Sequence, residues 1–244
     1  MIKLENTDVY GWEAAIRGMR NPMNSWDKSD SGVQEIYGIG YEFVIGENDL
    51  RLMKNLSKAG NDHGKFLRMI TVTVDITAPL YWWKEFDTYK VGTVANSCST
   101  MHKIHAKEFT VDDFSHEHLD GIDDQRIGLC FGSKKPQATL DSSSMGCLEI
   151  TVAILNCYRN KYLEAKTKPM KEEAKRPKIM KHYWWQMIQL LPSSYNQKRT
   201  VQLNYQVLKQ MYFARRNHKL DEWYTLCEWC ESLPYFKEIC LNVE

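Results

Sequence analysis

No stretch of this chain approaches the roughly 18 consecutive apolar residues that a membrane-spanning helix needs. Charge of one sign is missing too: 32 Lys and Arg stand against 31 Asp and Glu, a formal net charge of +1. No global field therefore selects nucleic acid or an anionic membrane surface. Cysteine is sparse and odd in number, 7 in 244 residues, which points to free thiols in a reducing cytoplasm, not to a disulfide framework. The opening MIKLENTDVYGW has no apolar h-region, so no secretory leader and a cytoplasmic location are expected. Internal repeats and low-complexity tracts are absent as well. What is abundant is aromatic character, 12% of residues with 8 Trp and 13 Tyr; large buried side chains are its default explanation. The length is ample for a real core, and a single domain over 1–244 is expected.

The chain is organised around Asp62 to Thr100. Ile70, Val72, Val74 and Ile76 alternate with Thr71, Thr73, Asp75 and Thr77. Side chains on a strand alternate between faces, so this is a half-buried strand rich in β-branched residues. We expect it to occupy Lys65 to Thr77, to stop at Pro79, and to lie centrally in an antiparallel sheet. Tyr81-Trp82-Trp83-Lys84 and the polar run Asn96-Ser97-Cys98-Ser99 follow. Read alone, these residues suit either a ligand site or a core strand followed by a surface helix.

Elsewhere the patterns predict helices around a sheet, an α+β fold. A first strand is expected within Ile2 to Trp12, a helix over Trp12 to Arg20 ending before Pro22, and another strand within Val33 to Ile45, with Ile39, Tyr41, Phe43 and Ile45 alternating. A helix over Asp49 to Lys58 would be capped by Asn48. Thr110 and Asp113 fit a capping box. Asp141 and Ser142 to Ser144 offer caps for a long helix carrying Leu148, Val152, Leu155, Tyr158 and Tyr162. Further helices are expected over Tyr183 to Leu191, Lys198 to Arg216 (with Val201, Tyr205, Leu208 and Tyr212 on one face) and Leu220 to Leu233.

Several side-chain groups bear on chemistry. Between Arg159 and Lys181 nine Lys and Arg face three Glu, a local balance of +6. Pro169 and Pro177 are expected to break this into mobile pieces, either a solvated loop or an attractor for phosphate or a polyanionic cofactor tail. His116 and His118 would share a face only on a strand; a solvated acidic loop is the expectation there. Cys227, Cys230 and Cys240 read as buried thiols before metal ligands, and Cys98 lacks an assured activating neighbour, so no metal site is expected. Arg215 continues the stripe of Leu208 and Tyr212, so burying it requires an anion. Glu222 or a bound phosphate would serve, whereas Arg216 points to solvent.

The motifs as a set resemble the flavin-dependent thymidylate synthase family. Asp62-His63 stands where that family has Glu-His before a strand, Trp82-Trp83-Lys84 where it has Arg-His-Arg, and Asn96-Ser97-Cys98-Ser99 matches part of its Ser-x-Asn-Glu-x-Ser-x-Arg loop, with Met101 at the final arginine. Near the C-terminus Leu191-Pro192, Asn204, Ala214-Arg215 and Leu220-Asp221-Glu222 keep the order of a second family stretch, with Ile188 in place of an arginine. The resemblance implies a flavin-dependent thymidylate synthase-like fold and a homotetramer with sites between subunits. It implies FAD, with methylenetetrahydrofolate and NADPH as further reactants, and a pyrimidine deoxynucleotide such as dUMP as substrate. In such a protein the flavin carries the hydride and the chain supplies no covalent nucleophile. By the same resemblance His63, Trp82, Trp83, Lys84 and Asn204 would bind the flavin. Asn96, Ser97, Ser99 and Arg215 would bind the nucleotide. The changed motif positions leave two functional readings open, a reductive methyltransferase and a non-catalytic nucleotide- or partner-binding relative.

Overall fold

The computed structural model describes residues 2–38, 40–121, 127–129, 138–140, 143–169 and 173–241. The chain divides into two compact units. The larger gathers Ile2–Thr77, Lys84–Ser97 and the chain from Lys198 on; the smaller gathers Ala78–Trp83 and Cys98–Gln197.

The larger unit is built on an antiparallel sheet of order β1-β4-β8-β5, with β1 at Lys3–Tyr10, β4 at Thr71–Pro79, β5 at Val94–Ser97 and β8 at Asn196–Asn204. Alternation dictates the central position of β4: Ile70, Val72, Val74 and Ile76 are each 0–1% exposed, while Thr71, Thr73, Asp75 and Thr77 are half-buried. The strand starts at Thr71, later than expected, because Gly64–Arg68 forms a 3-10 turn that buries Phe66 and Leu67. Strand β1 pairs antiparallel with β4, with one extra residue between Glu5 and Asp8. Asn6 absorbs that bulge at φ +53°, a conformation that asparagine tolerates better than most residues. Its amide then donates to Asp75 Oδ2 at 2.9 Å. Ile70 O accepts from Tyr205 N at 3.0 Å and Asp75 Oδ1 accepts from Thr200 Oγ1 at 2.6 Å. Numbers thus fall along β4 as they rise along β8.

Strand β8 corrects the helix expected from Lys198. Thr200-Val201-Gln202-Leu203 alternates as a strand does, with Val201 and Leu203 buried and Gln202 exposed. The helical stripe was real only from Tyr205, where α7 (Tyr205–Arg215) begins. Helix α1 spans Trp12–Arg20 as the pattern predicts, burying Ala15, Ile16 and Met19. The strand expected within Val33 to Ile45 is a hairpin, β2 (Gly32–Ile36) with β3 (Gly40–Val44); Ile39 lies outside the described residues.

Helix α2 covers Glu47–Lys58. Its first turn is capped not by Asn48, which lies inside the helix, but by Asp30, whose carboxylate accepts from Asn48 N and Asp49 N at 2.9 and 3.1 Å. Asp49 itself is fully buried. It accepts from Arg20 Nε at 2.7 Å and from the hydroxyls of Ser29 and Ser31, both at 2.7 Å. Burial pushes its carboxyl up, but the Ser31, Ser29 and Arg20 hydrogen bonds outweigh that and hold it below the ordinary value of 3.8. Helix α8 (Asp221–Ser232) packs on α7.

In the smaller unit, α3 (Leu80–Phe86) begins directly after β4, and Leu80 N and Tyr81 N donate to Tyr195 O and Ser193 O at 3.0 Å each. A short α4 (Thr100–Lys103) precedes a capping box formed by Thr110 and Asp113. Ile127–Leu129 and Ala138–Leu140 pair as β6 and β7. Helix α5 (Ser144–Thr167) is capped by Ser143, whose hydroxyl accepts from Gly146 N at 3.1 Å; Asp141 and Ser142 lie outside the described residues. Helix α6 runs Arg176–Leu190, seven residues earlier than expected at its start, with Pro177 in its first turn. Proline lacks only an N–H that would be unpaired there anyway, so the described part of the basic stretch is mostly helix, not mobile pieces. Ile104, Phe109, Phe114, Leu148, Val152, Leu155 and Met187 form this unit's core.

The Arg20–Asp49 pair yields a prediction. Arg20→Ala leaves a buried carboxylate short of its cation and should cost about 3–5 kcal/mol in urea unfolding. Because the folded carboxyl is depressed, its contribution is present above 3.8 and fades as pH falls below it. Asp49→Asn should flatten that acid limb of the stability curve.

Candidate functional site

His63 sits on an exposed turn that enters the 3-10 segment Gly64–Arg68, and that segment packs on α7 and α2 in the larger unit. Asn61 just before it accepts from Gln206 Nε2 at 3.2 Å, so the His63 turn lies along the start of α7. Asn204 is the N-cap of that helix: its Oδ1 accepts from Val207 N at 3.1 Å. The 90–93 loop crosses the same corner. Gly92, at φ +77°, has no room for a side chain, since a Cβ would sit 2.9 Å from Asn204 Nδ2 and 3.2 Å from Val207 Cγ2. Next to it the Thr93 hydroxyl is buried with no hydrogen-bond partner among the described residues. The structure thus brings His63 and Asn204 to one corner of the unit, with Asn204 engaged in capping and His63 making no side-chain hydrogen bond among the described residues.

The motif positions separate by burial. Trp82 and Trp83 are fully buried, edge to face at 4.9 Å, and Trp83 Nε1 donates to Gln197 O at 3.0 Å. Neither ring offers a face to solvent, so the core alternative describes their state here and stacking on a cofactor ring does not. Lys84 is exposed and makes no ion pair among the described residues. Asn96 and Ser97 are exposed on edge strand β5, opposite Thr200 and Arg199 of β8. Ser99 is exposed and caps α4, accepting from His102 N at 3.1 Å. His63 and Lys84 are open to a ligand, whereas Trp82 and Trp83 offer no face to a flavin ring.

Arg215 is half-buried, as the stripe required, and its anion is Glu85, not Glu222. Glu85 Oε2 accepts from Arg215 Nη1 at 2.9 Å and from Trp223 Nε1 at 2.9 Å, with His218 Nε2 at 3.3 Å. Arg215 Nε donates to Tyr89 Oη at 2.9 Å, and the guanidinium lies 4.8 Å from the centre of the Trp223 ring. A planar, permanently charged fork suits a carboxylate on its edge and an indole on its face. Arg216 is exposed over Phe213, as expected. Nothing local in the sequence links Glu85, Tyr89, His218 and Trp223 to Arg215.

Other candidates resolve simply. Burial pushes the Cys227 and Cys240 thiols up to about 11 and 12, and the Cys230 thiol well above its usual range, so all three rest as neutral thiols. His116 turns its Nδ1 to Phe114 O at 2.8 Å, while His118 is exposed in a turn, so the two do not share a strand face. Among the described residues no group of three His, Cys, Asp or Glu could hold a metal ion.

An α+β chain with a four-stranded antiparallel sheet and long helices defines the architectural class. No protein-family profile and no curated protein sequence matches the chain. Solved structures do match. The crystal structure of thymidylate synthase X (ThyX) from Helicobacter pylori with FAD and dUMP superposes with a TM-score of 0.58 at 14% identity, over 99% of this chain and 98% of that one. A second structure of the flavin-dependent ThyX from Helicobacter pylori, also complexed with FAD and dUMP, gives 0.59 at 13% identity, over 98% of each chain. The chain has the flavin-dependent thymidylate synthase fold.

The Arg215 cluster can be tested by stability. Arg215→Ala leaves Glu85 partly buried beside Trp223 without its cation and should lower unfolding free energy by about 1–3 kcal/mol. Arg216→Ala should change it by less than about 0.5 kcal/mol. Equal effects in thermal or urea melts would contradict this assignment.

Proposed function

We propose that this chain binds a flavin and a pyrimidine deoxynucleotide on a flavin-dependent thymidylate synthase scaffold, FAD and dUMP being the first ligands to test. The observation that carries the reading is the match over nearly the whole of both chains to structures holding those two ligands. The exposed His63 and Lys84 are the groups proposed to meet the flavin. The loop from Asn96 to Ser99 is proposed to meet the nucleotide. Asn204 contributes by holding the start of α7. Arg215 reaches a nucleotide phosphate only by releasing Glu85, so in this reading it organises Glu85, Tyr89 and Trp223.

When bound, the flavin would supply hydride chemistry. The chain's own part would be to orient the two ligands and exclude water. Reductive methylation of dUMP, drawing on methylenetetrahydrofolate and NADPH, is the activity proposed first. A homotetramer with sites between subunits is its proposed assembly.

One observation favours a second reading, a non-catalytic nucleotide- or partner-binding relative. The two motif positions that carry an arginine and a histidine in the resembled family are here tryptophans sealed in the core. That removes two polar groups capable of touching a nucleotide. Binding is common to both readings, whereas turnover belongs only to the first.

Flavin absorbance and fluorescence of the purified chain, followed by FAD and dUMP titrations, test the shared part. Saturable FAD binding is expected, and His63→Ala should weaken it several-fold without shifting the melting temperature. A chain that takes up no flavin at any subunit concentration, or full occupancy in His63→Ala, would count against the assignment. Deuterium or tritium release from labelled dUMP separates the enzyme from the binding relative.

A further inference from the structure

The basic stretch between Arg159 and Lys181 finds no use in the reading above, yet two of its members, Arg176 and Lys181, line a cavity in the smaller unit. Residues after and within α4 face the C-terminal part of α5 and the first turns of α6 across about 610 Å³, within the range of small-molecule sites. His105, Tyr162, Trp184, Arg176 and Lys181 line it with His102, and among the described residues no Asp or Glu does. Its floor is aromatic. His105 and Tyr162 rings lie 4.5 Å apart, and Trp184 is held in place by donating Nε1 to Met101 O at 2.8 Å.

Its charge is one-sided. Arg176 is neutralised by two hydrogen bonds to Glu173, both at 2.7 Å. Among the described residues Lys181, Lys103 and Lys166 make no ion pair. Two buried nitrogens, His105 Nδ1 and Arg159 Nε, have no hydrogen-bond partner among the described residues. Burial first, and then Lys166, Lys103 and Arg159, keep His105 below its usual pKa. A cavity lined by Lys181, Arg176 and two histidines beside the Tyr162 and Trp184 rings is complementary to a flat ring that carries concentrated negative charge.

We propose that this cavity binds an aromatic phosphate monoester, its ring on the His105, Tyr162 and Trp184 surface and its phosphate toward Lys181. A phosphate carries about two charges near neutral pH and so gains more from Lys181 than a carboxylate does. The site uses none of the residues assigned to the flavin, so it stands or falls independently of that reading.

The probe is adenosine 5′-monophosphate, titrated into the full chain by calorimetry and by quenching of tryptophan fluorescence. Adenosine and ribose 5-phosphate serve as the ring-only and phosphate-only controls. Saturable binding of the monophosphate is expected, with each control at least tenfold weaker and the affinity falling as salt rises. Lys181→Glu and Lys181→Ala should each weaken it at least tenfold. Lys161→Glu, on the same basic stretch but outside the cavity, should not. Lys181 is exposed, so unchanged melting temperatures and unchanged flavin uptake are expected in both variants. No saturable binding by the wild type, adenosine binding as tightly as its monophosphate, or wild-type affinity in both Lys181 variants overturns the proposal.

Discussion

Strand β4 must bury one face completely while both its edges are paired, and the larger unit is arranged to meet that demand. Pairing on one side comes from β1, on the other from β8. A half-buried strand with an unpaired edge would expose backbone donors and acceptors to other chains; β1 and β5 take the edge positions instead. The bulge at Asn6 shows how closely the register is held. One extra residue would move every following side chain to the wrong face. It is absorbed where an asparagine can adopt positive φ and return a hydrogen bond to Asp75. Asp75, held down to about 2 first by Thr200 and then by Asn6 and Lys198, keeps its charge through ordinary acidic conditions and ties three strands together on the solvent side.

The polar groups of this chain fall into two kinds. Some are consumed internally: Arg20 by Asp49, Arg215 by Glu85, and the Asn204 carbonyl by the first turn of α7. Buried ions that lack partners are costly, and these partners are what make their positions tolerable. Others remain unsatisfied or exposed. These are His63, Lys84, the Thr93 hydroxyl, His105 Nδ1 and the lysines around the α5–α6 cavity. The exposed members of this second group, like the exposed loop from Asn96 to Ser99, are available to recognise something outside the chain.

The fold is shared with ThyX structures at 13–14% identity, so like backbones are built from largely different side chains. A core accepts replacement wherever volume and pattern are kept. Trp82 and Trp83 are large side chains that are fully buried here. A site, by contrast, depends on particular groups at particular points, and fold likeness does not carry those.

Sequence alone determined what periodicity and local chemistry control. The β4 alternation, the span of α1, the capping box at Thr110, the α+β class and the requirement that Arg215 meet an anion all follow from neighbours a few residues apart. Two kinds of feature were out of reach. One is competition between local patterns: Lys198 to Leu203 carries both a helical stripe and a strand alternation, and pairing with β4 and β5 chose the strand. The other is contact at long range. Glu85 lies 130 positions from Arg215 and His105 some 57 from Tyr162, and nothing in either neighbourhood names the other. Burial then decided which tryptophans were core and which lysines remained exposed, because solvent access is a property of the packed chain and not of the residue.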